Sequence, residues 1–253
     1  MNLEILQKEI KILQKEIKMI QDVSIREFTI ACLKAAPSYF WEVASSSTGK
    51  YHPVQSNGIG GLIRHTRAVV YFANKLCEVY DVSHEYKDCI ISACLLHDIV
   101  KYGEPKGLYT TKTHDFDGAR FVENIAKTCT ISSLLLSDIV DGIEWHMGRW
   151  TKRADKVRKF PSEYSMIAEI VHLADVISSQ KAISLDFLDE SSEVDAGIKD
   201  GTLQMPFGKH KGLSFEEIPS DYLRWMRDNI DDTKLKTAAI NELSFRDTHN
   251  THR

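Results

Sequence analysis

The sequence predicts a mainly α protein: a helical bundle preceded by an N-terminal heptad helix and followed by a small α+β C-terminal module. Three observations predict it. Thirteen glycines and six prolines in 253 residues are about 7.5% of the chain against a usual share of roughly 12%, so few turns are obligatory. From residue 24 to about residue 188 apolar residues recur at helical spacing, and no stretch there alternates as a strand. Beyond residue 200 the pattern changes to a short, glycine-punctuated segment followed by one more helical run.

Taken in order, the first element is a tandem heptad, with ILQKEIK at residues 5–11 and again at 12–18. Leu3, Leu6, Ile10, Leu13, Ile17 and Ile20 alternate spacings of three and four and share one seam. That seam suits a short coiled coil and a homo-oligomer through residues 3–20. Extra apolar residues at Ile5, Ile12 and Met19 widen the stripe and suit an amphipathic helix lying on its own domain instead. The expected organisation is this helix over 1–22, a helical domain over 23–188 broken at Pro37, 45–61, 103–107 and 149–161, and an acidic linker over 189–201. A small module over 202–245 and a tail over 246–253 complete the chain. Tyr222, Leu223 and Trp225 are expected to pack beneath the turn Lys209-His210-Lys211, which Gly208 and Gly212 bracket.

Composition excludes collagen-like, mucin-like and disordered chains. Five cysteines, with no CxxC pair and mostly inside apolar helical stretches, behave as reduced, small hydrophobes and point to the cytoplasm. No apolar run is long enough for a membrane span, and no leader pattern is present. The net charge of −4 argues against a basic nucleic-acid coat, but it is a cancellation. Residues 149–159 carry six basic residues and one acid, whereas residues 186–200 carry six carboxylates and one lysine.

The chemistry is expected at polar residues set in apolar helices: His65 in GGLIRHT, His97 and Asp98 in CLLHDIVK, His146 in IEWHMGRW and Asp175 in VHLADV. Burying imidazoles and carboxylates without partners is costly, so the fold must supply something for them to bind. A shared metal ion does so, and nitrogen and oxygen donors suit first-row divalent ions.

This order resembles the HD superfamily of metal-dependent phosphohydrolases, with a His, a His–Asp doublet and a distant Asp matched by His65, His97, Asp98 and Asp175. The words LLHDIVKYG and HLAD match too. The likeness covers residues 37–188 and leans toward the branch with bacterial 3′-to-5′ exoribonucleases, and toward prokaryotic and phage proteins sharing FWEVASSSTGKYHP. It implies an all-helical fold and one or two divalent ions, manganese favoured among manganese, iron, nickel, zinc and magnesium. Two-metal relatives add histidines between doublet and final aspartate. Here these would be His114 and His146, with Asp98 bridging, although many relatives carry His–His where this chain has Trp145–His146. His114 has the alternative of a surface residue capping a helix that begins near Asp117. The C-terminal words QMPFGKHKGLSFEEIPSDYLRWM resemble the small module of exodeoxyribonuclease X.

Asp98 and Lys101 are then the catalytic candidates, Asp98 as metal bridge or general base and Lys101 as a cation for a phosphate oxygen. Substrate contacts are expected from Lys50 and His52 in the loop before His65, and from Arg149, Lys152 and Arg153, with Trp145 and Trp150 available for base stacking. His172, three residues before Asp175, is expected to support the ligands. The function expected is phosphodiester hydrolysis in single-stranded nucleic acid, in the cytoplasm or, for a phage chain, the host cytoplasm. Alternatives are a deoxynucleoside triphosphate or cyclic nucleotide hydrolase, a metal-stabilised scaffold without catalysis, and a di-iron oxygenase.

Overall fold

The structure is a computed structural model and describes residues 10–47, 52–151, 161–185, 188, 198–199, 202–205, 210, 212–230 and 232–249. The chain divides into two units, Met1–Leu188 and Asp189–Arg253. The first unit contains α1 (Gln14–Ile17), α2 (Val23–Ala35), α3 (Gly61–Val79), α4 (His84–Leu96), α5 (His114–Ala126), α6 (Ser133–Trp145) and α7 (Met166–Ser178). The second has a two-residue antiparallel pair, β1 (Ile198–Lys199) with β2 (Thr202–Leu203), then α8 (Ser220–Asn229) and α9 (Thr233–His249).

Helix starts follow local chemistry. Asp22, Ser132 and Ser165 sit before α2, α6 and α7, and each accepts a hydrogen bond from the backbone N–H three residues on. These bonds satisfy donors that a helix start otherwise leaves open. Helix α2 ends at Ala35 because Pro37 cannot continue it.

At the centre of the first unit is α4. Every residue from Asp88 to Leu96 in it is buried, as expected of a helix enclosed on all sides. It packs on α2, α3, α6 and α7, while α3 runs along α7. His97 and Asp98 follow the last turn of α4, so the doublet is delivered from the innermost helix. Gly61 opens α3 at a close crossing, where a Cβ would stand 2.3 Å from the Ser56 carbonyl oxygen. Only glycine lets the loop before His65 approach this closely. Four cysteines are buried and Cys129 is half-buried; all are free, and burial pushes the Cys77 thiol up to about 11 and the Cys89 thiol up to about 12.

Several boundaries differ from expectation. Leu13, Ile17 and Ile20 belong to the core of the first unit, and Glu16 meets Arg67 of α3 in a buried ion pair at 2.8 Å. The described part of the heptad seam is therefore consumed inside its own chain; residues 1–9, with Leu3, Ile5 and Leu6, lie outside the described residues. The wide apolar stripe explains this, since it covers more of the helix than a two-stranded seam uses. At the other end α9 continues to His249, past the boundary expected at residue 245. Arg246 is buried there and donates to the Phe215 and Glu216 carbonyls and to Ser220 Oγ. Strand β1 falls within the segment expected to be linker. Leu223 is fully buried with Met205, Phe215, Ile218 and Met226, but Trp225 is 49% exposed rather than packed beneath the turn. Among the described residues no helix is long and apolar enough to cross a membrane.

Candidate metal centre

Five segments of the first unit converge on Asp98. His65 comes from the second turn of α3, His97 and Asp98 from just beyond α4, His114 from the start of α5, His146 from just beyond α6, and Asp175 from α7. The Asp98 carboxylate is 1% exposed, and the four histidines divide between its two oxygens. Oδ2 is 3.7 Å from His65 Nε2 and 3.2 Å from His97 Nε2. Oδ1 is 3.2 Å from His114 Nε2 and 3.6 Å from His146 Nε2. Asp175 Oδ1 stands 3.0 Å from His65 Nε2 on the first side. His65, His97 and Asp98 form one group with donor atoms within 4.8 Å of one another, and Asp98, His114 and His146 form a second.

Tautomers decide what these contacts mean. The Nδ1–H groups of His97, His114 and His146 donate to the Cys94, Thr111 and Ile143 carbonyls at 2.7, 2.6 and 2.7 Å, in each case three residues back. His65 Nδ1 faces Ser178 Oγ at 3.3 Å, and that hydroxyl already donates to the Asp175 carbonyl, so Nδ1 is the donor here too. With the proton on Nδ1, each neutral ring presents a bare Nε2 lone pair to a carboxylate. Nε2 of His65, His97 and His146 and Oδ1 of Asp98 are buried with no hydrogen-bond partner among the described residues. Acceptors crowded on acceptors need a cation between them. Two atoms bound at ~2.1 Å to one ion lie ~3.0 Å apart at right angles and ~3.4 Å apart in a tetrahedron, and the contacts here, from 3.0 to 3.7 Å, bracket both. The residues fit one or two divalent ions.

The two carboxylates are held ionised, the state that binds a cation. Burial opposes ionisation of Asp98, but the Lys101 ammonium and the imidazoles around it hold its carboxyl well below the usual range. Asp175 is likewise held low against burial, mainly by His65. Burial pushes the His65 imidazole down and keeps it neutral. His146 moves the other way: burial opposes its charged form, but the pull of the Asp98 carboxylate outweighs burial and raises it, a field that a cation between the two would equally answer.

The remaining expected residues fall into three groups. Lys101 does project into the site, but its ammonium is ion-paired with Asp98 Oδ2 instead of being left open for a phosphate. His114 is 4% exposed at the first position of α5, so the surface capping alternative does not hold: the helix starts three residues earlier than Asp117. His172 donates from Nδ1 to the His146 carbonyl at 2.7 Å and lies against Gly148, where a Cβ would come within 2.3 Å of its ring. His52 packs edge-on to His65 at 5.4 Å, reaches Ser179 Oγ at 3.4 Å and has its imidazole pushed down to about 4 by burial. Arg149 and Trp150 are exposed, with the guanidinium 4.5 Å from the ring centroid. Trp145 is not available for stacking: it is 4% exposed and packs on Tyr164. Lys50, Lys152 and Arg153 lie outside the described residues.

Sequence reasoning missed Asp115, Ser178 and Ser179. Asp115 is fully buried beside His114 and accepts from Thr151 Oγ1 at 2.7 Å, tying the turn after His146 to α5. Ser178 and Ser179 lie three and four residues after Asp175, a helical spacing that would have found them. For Asp115 and Thr151, 36 residues apart, the sequence holds no signal.

Comparison with known proteins gives two family matches. Residues 62–180, which carry all six converging residues, match the family described as HD domain. Residues 199–230 match the family described as Putative quorum-sensing-regulated virulence factor. No curated protein and no solved structure matches the chain.

Proposed function

We propose, from the match of residues 62–180 to the HD domain family, that the chain is a metal-dependent phosphohydrolase that cleaves phosphodiester bonds of single-stranded nucleic acid from the 3′ end. The observation that carries this reading is the set of bare Nε2 atoms gathered in two pairs on the two oxygens of Asp98. His65, His97, Asp98 and Asp175 would hold one ion, and Asp98, His114 and His146 a second, with manganese the first candidate. Bound there, a divalent ion supplies Lewis acidity toward phosphoryl oxygens and lowers the pKa of water toward ~7.

The protein's own residues do the rest. Asp98 is assigned as the bridge and not as a general base, because both its oxygens already face histidines and one is paired with Lys101. Lys101 keeps Asp98 ionised and aimed, and so positions it. His172 fixes the carbonyl of His146 and, through it, the ring. The basic run over residues 149–159 supports a polyanionic substrate.

The test is incubation of manganese-loaded protein with end-labelled single-stranded RNA, single-stranded DNA, deoxynucleoside triphosphates and cyclic dinucleotides. Progressive shortening from the 3′ end is the expected result. Turnover of mononucleotides alone would transfer the reading to a nucleotide hydrolase, and no turnover of any substrate with metal bound would remove it.

A further inference from the structure

Beyond the metal residues, the turn that follows His146 is built as a unit. Gly148 takes a left-handed backbone, φ +56°, and lies against the His172 ring. Three residues on, Thr151 Oγ1 donates to the buried Asp115 carboxylate, whose other oxygen accepts the Phe116 N–H. Between these anchors stand two exposed side chains. Trp150 is 51% exposed, and the Arg149 guanidinium lies 4.5 Å from its ring centroid. No carboxylate among the described residues is paired with Arg149. The guanidinium lies over the indole and steadies it by cation–π attraction, while half of the side chain stays exposed. Because Asp115 adjoins His114, bond lengths through the Thr151 hydrogen bond place the Cα of Trp150 at most about 16 Å from the Cα of His114.

We propose that Gly148–Trp150 is a base-recognition element, in which a substrate nucleobase stacks on the exposed indole of Trp150 while Arg149 takes a neighbouring phosphate. This deepens the phosphohydrolase reading and rests on it: the substrate class becomes nucleobase-bearing phosphoesters, and sugar phosphates or base-free backbones are poor ligands. An exposed indole fastened at both ends loses little freedom on stacking, and every nucleobase offers a π face, so the element is tolerant of sequence.

Fluorescence anisotropy of a labelled single-stranded hexanucleotide tests this, with a base-free hexamer of the same backbone and charge as control. Unlabelled deoxyadenosine triphosphate serves as competitor to tell strand from mononucleotide. Trp150→Ala is expected to weaken the base-bearing strand by about tenfold, and Trp150→Phe by no more than about threefold, with the base-free strand changed by less than about twofold in both. Equal loss on both strands, no loss on either, or no binding of either by the unaltered protein overturns the proposal. Hydrolysis is followed on the same strands. If the unaltered protein cleaves the base-bearing strand while Trp150→Ala binds it normally, stacking is wrong and the hydrolase reading stands. Base-dependent binding through Trp150 without cleavage would be the reverse.

Discussion

Each histidine around Asp98 is aimed by a bond made at its other nitrogen. For His97, His114 and His146 that bond reaches back three residues to a carbonyl left open where a helix or turn ends or starts. The ligand-like orientation is thus a consequence of local backbone geometry. Gly148 shows how tightly the supporting residues are set. Gly148→Ala would place a methyl 2.3 Å from His172 Cε1 on a left-handed backbone, and we expect a loss of ~1–3 kcal/mol in urea unfolding together with weaker metal binding. A variant as stable as the parent would show that the His172–Gly148 contact is not needed. At this scale His65, His97, Asp98, His146 and Asp175 were legible as a set, because polar residues embedded in apolar helices demand a partner. The pairing of Lys101 with Asp98 and the burial of Trp145 were not, since both depend on which way a neighbouring turn directs a side chain. The tether of Thr151 to Asp115 was hidden by its sequence separation.

Among the elements, α4 and the N-terminal segment carry the lesson. The apolar run ending at Leu96 was readable as a helix, and its burial on every face explains why the doublet after it is the most enclosed part of the site. The heptad words were equally readable, yet period alone could not say whether the stripe meets another chain or its own domain. Packing settled residues 13–20: Leu13 and Ile20 are fully buried and belong to the core with Phe28, Leu33 and Leu95. Leu13→Ala should therefore destabilise the first unit by ~2–4 kcal/mol in denaturant unfolding without changing the mass measured by light scattering. Dissociation of an oligomer with unchanged unfolding would instead assign this residue to an intersubunit seam.

Over the whole molecule, each unit has a separate apolar core, and this predicts separable behaviour. Arg246→Ala removes the buried cation that ties α9 to the Phe215 and Glu216 carbonyls and Ser220. It should lower the unfolding transition of the second unit and leave that of the first in place. A single transition shifted as one by this change would mean that the units fold together. Chelation should act on the other unit, lowering only the transition of the first, because an ion that binds the folded state alone stabilises it by mass action. The sequence made the division of the chain visible through the acidic stretch and the change of pattern after it. It did not show that Arg246 belongs to the second core, since an arginine near a C-terminus reads as a solvated tail.

Whether Asp98 joins two groups of histidines into one catalytic metal centre is decided by metal content measured beside hydrolysis. Manganese-loaded parent, Asp98→Asn and His146→Ala would be assayed for bound metal per chain and for cleavage of single-stranded RNA. Expected are two ions and cleavage for the parent, one ion and a large loss of cleavage for His146→Ala, and loss of both metal and cleavage for Asp98→Asn with helical content retained. Full metal occupancy in Asp98→Asn, or undiminished cleavage by it, would rule out Asp98 as the bridge.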